Sequence, residues 1–305
     1  MAGEVPCLSA SASDCPKAPE KGGADLHIHS HYSDGSYSPE AIVEMAREAG
    51  LSAIALTDHD TIDGVSELIE AAEGTDLHVI PGVEISCRRG DHKYHVLGYY
   101  IDWERTELVE RLKYYEEARA DRIRRMVKVL RERRDIDIPY DNIESLAGKS
   151  LIGKPHVAQA LVNHGIVEDF RSAFDEYLGD GQILDKVPKE RMSYEEAVEQ
   201  IHAAGGIPVL AHPLHYEDDL DLASFARSGI EGLEVFYSDH DRARRKEYYR
   251  AALDLDLLIT GGSDFHGDVK PDVQIGDVRL GDSFLEEIQA RGRSNGARND
   301  LLPPQ

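Results

Sequence analysis

The amino-acid sequence predicts an α/β fold, a distorted (βα)7 TIM-like barrel with an inserted helical lobe. Seven short apolar runs alternate with helical patterns along the chain, which indicates parallel βα units. His and carboxylate clusters also follow several of these runs, and catalytic groups meet at the carboxyl ends of the strands in such barrels. An open doubly wound sheet would instead collect functional groups from fewer strands at one crevice. Contributions from many strands therefore favour the closed barrel.

Local patterns of hydrophobicity and capping define the individual elements. Ser38 and Pro39 are typical of a helix start and Gly50 of a helix end, and Ser193 with Glu196 forms the pattern of a capping box. The predicted strands cover residues 24–30, 51–57, 77–85, 93–100, 207–211, 232–236 and 257–260. The predicted helices cover residues 39–49, 64–72, 106–134, 154–164, 169–177, 193–204, 222–228 and 239–253, and a short one follows residue 282.

The change from strand-like to helical periodicity after residue 103 divides the chain. Residues 24–103 are predicted to form the first part of the barrel, and residues 191–285 the second part. Residues 104–190, with a long charged amphipathic helix at their start, are predicted to form the inserted lobe. The terminal segments have few apolar residues, so we expect a disordered leader over residues 1–23 and a flexible tail over residues 286–305.

Composition narrows the class of partner. The chain of 305 residues has 34 Lys and Arg against 58 Asp and Glu, a net charge of −24. This charge argues against binding of duplex DNA through its phosphates, although bound cations would still attract a small phosphorylated substrate. No apolar run is long enough to cross a membrane. Three scattered cysteines form no disulfide framework and favour the cytoplasm, and we expect a monomer.

Nine residues are candidate ligands for divalent cations. His27 and His29 lie on one face of the first strand, and Asp264 with His266 repeats their spacing. Any one such residue alone is commonly a core histidine or a helix cap, but their recurrence at strand ends favours a metal centre. Imidazoles and carboxylates without thiolates suit Zn, Mn or Fe, and the number of ligands indicates two to three ions. The nine candidates are His27, His29, Asp34, His59, Glu84, His95, His212, Asp264 and His266.

All of these residues except Asp34 and His95 lie in motifs that resemble, in order, those of the PHP (polymerase and histidinol phosphatase) family of metal-dependent phosphoesterases. The motifs are Asp25-Leu26-His27-Ile28-His29-Ser30, Thr57-Asp58-His59-Asp60, Gly82-Val83-Glu84, Ala211-His212-Pro213 and Ser263-Asp264-Phe265-His266. The resemblance covers residues 25–280. It implies one ion among His27, His29, Glu84 and Asp264, a second between Glu84, His95 and His212, and a third among Asp34, His59 and His266. It also implies catalytic roles for Glu84, His212 and Asp264.

The lobe is similar to that of the small PHP nucleotide phosphatases. The similarity rests on Gly153-Lys154-Pro155-His156-Val157-Ala158, Ala173-Phe174 and Tyr177-Leu178-Gly179. It implies hydrolysis by a metal-activated hydroxide, either of the 3′-phosphate of 3′,5′-bisphosphonucleotides or of short RNA in the 5′→3′ direction. Candidates for binding a second phosphate are Arg119, Arg122, Lys154, His156 and Lys186. The alternatives are a histidinol-phosphatase-like phosphomonoesterase and a non-catalytic metal-binding regulatory module.

Overall fold

The computed structural model describes residues 15–298, without the side chains of residues 217–219. The strands are β1 (Ala24–Ile28), β2 (Ala53–Leu56), β3 (His78–Arg89), β4 (His92–Tyr99), β5 (Met192–Ser193), β6 (Ile207–Leu210), β7 (Gly232–Tyr237) and β8 (Leu258–Gly262). The helices are α1 (Pro39–Glu48), α2 (Val65–Ala72), α3 (Thr106–Arg134), α4 (Tyr140–Ala147), α5 (Lys154–Asn163), α6 (Phe170–Ala173), α7 (Tyr194–Ala203), α8 (Leu222–Arg227), α9 (Arg242–Asp254) and α10 (Asp282–Asn295). Each of the seven predicted strands is present. Helix α4 was not predicted.

The strands form one sheet that curves into a nearly closed barrel, which confirms the predicted fold class. Its order is β1-β2-β3-β4-β6-β7-β8, and the short β5 pairs with β3. Beyond β8, the backbone N–H of Asp264 donates to the carbonyl of His27 over 2.8 Å. The N–H of His29 donates to the carbonyl of Phe265 over 2.9 Å. These two bonds join the last strand to the first and bring two of the predicted site motifs side by side.

The prediction of uniformly parallel strands was wrong for β4. It runs antiparallel to both β3 and β6, while the β1–β2, β2–β3, β6–β7 and β7–β8 pairs are parallel. Only Gly90 and Asp91 separate β3 from β4, with Gly90 at a φ of +61°. A parallel pair needs a crossover of about a dozen residues or more, so a two-residue turn allows only a hairpin.

The helical insertion has an apolar core of its own. Its buried residues include Ile123, Met126 and Leu130 of α3 and Ile143 of the unpredicted α4. The first part of α3 packs on the barrel instead, because Leu108 and Leu112 belong to the barrel core. The long helix therefore begins on the barrel and continues into the lobe. The exact domain boundaries stay a prediction.

Both terminal segments are more ordered than their composition indicated. Residues 1–14 and 299–305 lie outside the described residues, but Arg279 donates to the carbonyl of Gly22 over 2.9 Å and holds the end of the leader on the barrel. Helix α10 continues to Asn295, so a flexible tail from residue 286 was wrong for this stretch. Its buried Leu285, Ile288 and Gly292 share one face, and this spacing outweighs the helix-breaking composition.

Within the described residues, the longest helices are too polar to cross a lipid bilayer and the apolar ones are too short.

Candidate metal centre and substrate cleft

The nine predicted ligands meet at one end of the barrel. His27 lies on β1, His29 directly after it, and Glu84 in the middle of the long β3. His95 lies in β4 opposite Ser86. His95 lies inside its strand, as the sequence indicated, and it reaches this end of the barrel because the antiparallel β4 presents its amino-terminal half there.

Strained backbone conformations occur at two of these residues. His212 has a φ of +28° and Asp264 a φ of +59°, a region that non-glycine residues rarely adopt. His212 lies two residues beyond the end of β6, and Asp264 lies two residues beyond the end of β8. Such strain persists where the surrounding structure holds it, and it clusters at functional sites.

The buried carboxylate of Glu84 lies at the centre of the cluster. Its Oε2 is 3.1 Å from the Nε2 of His27, 3.2 Å from the Nε2 of His29 and 3.2 Å from the Nδ1 of His59. Its Oε1 is 2.8 Å from the Nδ1 of His95 and 2.9 Å from the Nε2 of His212. One carboxylate therefore has five imidazoles around its two oxygens.

Asp264 and Asp34 complete the arrangement on either side. The Oδ1 of Asp264 lies 3.4 Å from the Nε2 of His27 and 3.2 Å from that of His29. At the mouth of the barrel, the Oδ1 of the exposed Asp34 is 3.2 Å from the Nε2 of His266. The other oxygen of Asp34 is 3.8 Å from the Nε2 of His59.

The donor set fits divalent cations. Both ring nitrogens of the buried His29 and the Nδ1 of His59 have no hydrogen-bond partner among the described residues, although carboxylate oxygens lie close to them. Two ligands at about 2.1 Å from one ion and at a tetrahedral angle are about 3.4 Å apart. The separations around Glu84 and Asp264 are of this size, so the buried nitrogens point where a shared cation satisfies them.

Three groups of donor atoms lie close enough to hold an ion, each within 4.8 Å. One consists of His27, His29, Glu84 and Asp264, the same residues as the first implied ligand set. The second combines Glu84 and His95 with His59, and the third combines Asp34, His59 and His266 with His29. His212 contacts Glu84 but belongs to none of these groups. The number and identity of the ions stay predictions.

Two adjoining cavities open beside this cluster. A cleft of about 880 Å³ has Asp34, His59 and His95 in its lining, together with His156 and other residues of the lobe. A second cavity of about 520 Å³ is lined by Arg122, Lys154 and further residues. Both cavities share Arg119, Gly153 and Pro155 in their linings, so the second cavity continues directly from the cleft over the predicted metal ligands.

The smaller cavity, called the basic cavity below, has six cationic side chains and two carboxylates in its lining. The cationic residues are Lys93, Arg119, Arg122, Lys154, Lys189 and Arg191, and the carboxylates are Asp180 and Asp185. Three of these cations were predicted substrate contacts, whereas Lys93, Lys189 and Arg191 were not. The predicted Lys186 is exposed and lines neither cavity, because the neighbouring Val187 turns into the lobe core and directs Lys186 outward.

Local contacts hold several of these cations in place. Arg122 is buried and its Nε donates to the carbonyl of Val187 over 3.0 Å. The Nζ of Lys154 donates to Asp185 over 2.7 Å, and Arg119 pairs with Asp60. Burial, reinforced by the positive charges of Arg119 and Arg191, lowers the pKa of Lys189 to about 7. The cavity is thus crowded with positive charge that an anion would relieve.

Comparison with known protein families agrees with the arrangement of the candidate metal ligands. The family model described as the PHP domain matches residues 25–179. The chain belongs to the PHP family. The match includes the first six predicted metal ligands and most of the lobe, and it confirms the family that the sequence motifs predicted.

Relatives and solved structures agree with this membership. A 5′-3′ exoribonuclease from Haemophilus influenzae is 34% identical over 249 residues, 79% of this chain and 89% of the relative. A 3′,5′-nucleoside bisphosphate phosphatase from Chromobacterium violaceum is 34% identical over 251 residues, 79% of this chain and 86% of the relative. The crystal structure of a predicted metal-dependent phosphoesterase from Bifidobacterium adolescentis has a TM-score of 0.77 and 32% identity, and it covers 90% of this chain and 98% of that one.

A second layer of side chains orients the candidate ligands of this PHP site. The buried Glu234 accepts hydrogen bonds from the Nδ1 of His27 over 2.9 Å and from the backbone N–H of His212 over 2.7 Å. The hydroxyl of Tyr216 lies 3.0 Å from the Nδ1 of His212. Such bonds fix which ring nitrogen faces a metal. Sequence reasoning missed Glu234, although a carboxylate inside the apolar strand β7 was a usable signal.

Asp264 has a different environment on each oxygen. While Oδ1 faces His27 and His29, Oδ2 accepts from the hydroxyl of Tyr237 over 2.9 Å and from the Nζ of Lys270 over 2.6 Å. The carboxylate is therefore oriented with one oxygen toward the cluster. Neither Tyr237 nor Lys270 belongs to a PHP motif that the sequence prediction used.

The shifted pKa values in this PHP cluster follow from burial and from the contacts between carboxylates and imidazoles. Burial alone would raise the pKa of Glu84, but the imidazoles of His59, His27 and His95 around it keep it well below its usual range. For His27, burial opposes protonation, yet the charges of Glu234, Glu84 and Asp264 raise its pKa well above normal. Burial lowers the pKa of His59 to about 4. His59 is thus the neutral imidazole that metal binding requires.

Replacing Glu234 with Gln should weaken metal binding, because it removes the negative charge that orients and polarises His27. Losing such an outer contact typically costs about 10- to 100-fold in metal affinity. Competition with a chromogenic chelator measures this loss for Mn²⁺ and Zn²⁺. Glu231→Gln is the matched control, because Glu231 binds His202 and Arg291 away from the cluster. Equal metal affinities of the wild type and Glu234→Gln would contradict the orienting role.

Proposed function

We propose that this PHP protein hydrolyses the 3′-phosphate of nucleoside 3′,5′-bisphosphates, and short RNA from its 5′ end, with a second phosphate bound in the basic cavity. The observation that carries the proposal is the position of that cavity. Six cations line it in a chain of net charge −24, and it continues into the cleft over the candidate metal ligands through Arg119.

At the coarser level, the protein is a hydrolase of phosphoric ester bonds, as the sequence motifs predicted. Its relatives carry the names of an exoribonuclease and a bisphosphate phosphatase. Both names describe cleavage of a phosphoester in a nucleotide or RNA. The finer choice between these substrates is part of the proposal, as are the cytoplasmic location, the monomeric state and the absence of duplex DNA binding.

The candidate ligands would hold the ions in three neighbouring groups. His27, His29, Glu84 and Asp264 suit one ion. Glu84 and His95 would hold a second, with His212 beside the same oxygen of Glu84. Asp34, His59 and His266 suit a third. Bound divalent ions lower the pKa of water and neutralise phosphoryl oxygens. Mn, Zn and Fe all fit such a set of nitrogen and oxygen donors.

The protein's own residues supply orientation and charge. Glu234 holds the His27 ring and the His212 backbone, and Tyr216 contacts the Nδ1 of His212, so that both Nε2 atoms face Glu84. Tyr237 with Lys270 turns Asp264 toward the same point. Burial of these groups excludes water from the cluster and strengthens the electrostatic interactions within it. In the basic cavity, Arg122 is anchored through its Nε, which leaves its terminal N–H groups available for an anion.

The chemistry of the basic cavity also separates the alternatives. Histidinol phosphate carries an ammonium and an imidazole beyond its phosphate, and Lys and Arg side chains repel an ammonium group. A nucleoside 3′,5′-bisphosphate carries a second phosphate there instead. A non-catalytic regulatory module would not need an intact donor set, yet all nine predicted donors converge. The cavity and the donor set together therefore favour turnover of a bisphosphorylated substrate.

The direct test is a phosphate-release assay with adenosine 3′,5′-bisphosphate and histidinol phosphate in parallel. We expect a higher kcat/KM for the bisphosphate, loss of activity with a chelator, and recovery with Mn²⁺, Zn²⁺ or Fe²⁺. Glu84→Gln should lose metal and turnover together, because it removes the charge shared by the ligand groups. Preference for histidinol phosphate, or full activity in Glu84→Gln, would refute the proposal.

The charge of Lys189 should make kcat/KM depend on pH near neutrality. Its pKa of about 7 makes it cationic below neutral pH and neutral above, so its attraction for phosphate is lost as the pH rises through 7. We expect kcat/KM for the bisphosphate to fall over this range in the wild type. An arginine stays charged, so Lys189→Arg should reduce the fall.

Profiles of kcat/KM between pH 6 and 9 for the two proteins measure this difference. Lys128→Arg, on the exposed surface of α3, controls for the substitution itself and should keep the wild-type profile. Identical profiles for wild type and Lys189→Arg would mean that Lys189 does not bind the substrate phosphate.

A further inference from the structure

Two exposed apolar side chains face the larger cleft beside the candidate metal centre. Phe170 is 45% exposed and Val269 is 61% exposed, and both line the cleft of about 880 Å³. Phe170 belongs to the lobe and Val269 to the barrel, so exposed apolar side chains line the cleft from both sides. Single exposed apolar residues are common, but these two share a cavity with His59 and Asp34.

The position of the Phe170 ring is fixed from within the lobe. Phe170 begins α6, where the side chain of Asp169 accepts a hydrogen bond from the N–H of Ser172 over 2.8 Å. The ring packs against Phe174, with centroids 5.3 Å apart and planes tilted by 38°. Phe174 in turn packs on the apolar core of the lobe. The rest of the ring remains available to a ligand in the cleft.

Val269 is held close to the metal cluster by a tight turn. It ends a short helical turn, Gly267–Val269, that directly follows His266. Gly267 has a φ of +65°, and a Cβ there would lie 2.2 Å from the Oγ of Ser36. That Oγ also accepts a hydrogen bond from the N–H of Asp268 over 2.8 Å. The turn therefore places an apolar side chain three residues from a candidate ligand.

The three regions of the cleft match the three substituents of one kind of molecule. A nucleoside 3′,5′-bisphosphate projects two phosphates and a planar base from its ribose. The donor cluster and the basic cavity account for the phosphates, and the apolar pair remains for the base. A volume of about 880 Å³ is within the range of about 300–1,000 Å³ for small-molecule sites.

We propose that Phe170 and Val269 bind the nucleobase of the substrate, with the base stacked on the Phe170 ring. This inference rests on the proposed function and adds specificity-determining residues to it. Stacking needs only the flat face of a base. The subsite therefore selects nucleotides over base-free sugar phosphates but accepts all four bases with similar affinity.

The test compares wild type and Phe170→Ala on adenosine 3′,5′-bisphosphate and on base-free ribose 3,5-bisphosphate. Loss of stacking should raise KM for the nucleotide about 5- to 150-fold, leave kcat within about twofold, and leave KM for the base-free compound unchanged. Phe170→Trp should retain the low KM, since it keeps an aromatic face. Ile166→Ala is the matched control, because Ile166 is an exposed apolar residue of the lobe that does not line the cleft.

A binding measurement separates this inference from the hydrolytic proposal. Calorimetry with AMP and with ribose 5-phosphate reports the base preference of each protein without turnover. A preference for AMP that is lost in Phe170→Ala supports the base subsite. If the wild type shows this preference but releases no phosphate in the assay above, only the hydrolytic proposal is overturned. Equal affinities for the two ligands in the wild type, or equal losses for both ligands in Phe170→Ala, would overturn the base subsite.

Discussion

The attraction between one buried carboxylate and the imidazoles around it organises this molecule. Glu84 lies inside the barrel with five ring nitrogens near its two oxygens, and Asp264 and Asp34 add negative charge on either side. Buried charges are costly unless they are compensated. Divalent cations compensate them directly, and the unpartnered nitrogens of His29 and His59 are available to the same ions. The arrangement of the site is therefore the one expected of a metal-dependent member of the PHP family.

Several of the candidate ligands are positioned by departures from a regular (βα) pattern. The β3–β4 hairpin brings His95 beside Glu84 from a strand that runs in the opposite direction. Left-handed backbone conformations at His212 and Asp264 redirect the chain as it leaves the strands. The helical lobe then covers this end of the barrel and contributes Arg122 and Lys154 to the basic cavity. Ligands and cations from these irregular elements thus join His27 and Glu84, which the regular strands carry.

The sequence predicted the barrel, the strand positions and the convergence of the nine ligands, because strand periodicity and motif order are local signals. It did not predict the antiparallel β4, since the alternation with helices was taken to indicate parallel βα units throughout. Helix α10 was cut short because its Gly and Asn residues hid the spacing of Leu285, Ile288 and Gly292. Glu234, Lys189 and Phe170 were missed for another reason: their importance depends on contacts between distant segments, which one sequence does not reveal.

The most direct measurement is anomalous diffraction from crystals of the protein loaded with Mn²⁺ or Zn²⁺, collected on either side of the metal's absorption edge. The account predicts at least two anomalous peaks bridged by the carboxylate of Glu84, and a further peak among Asp34, His59 and His266. Peaks confined to other parts of the surface, or a fully active protein with no peak near Glu84, would contradict it.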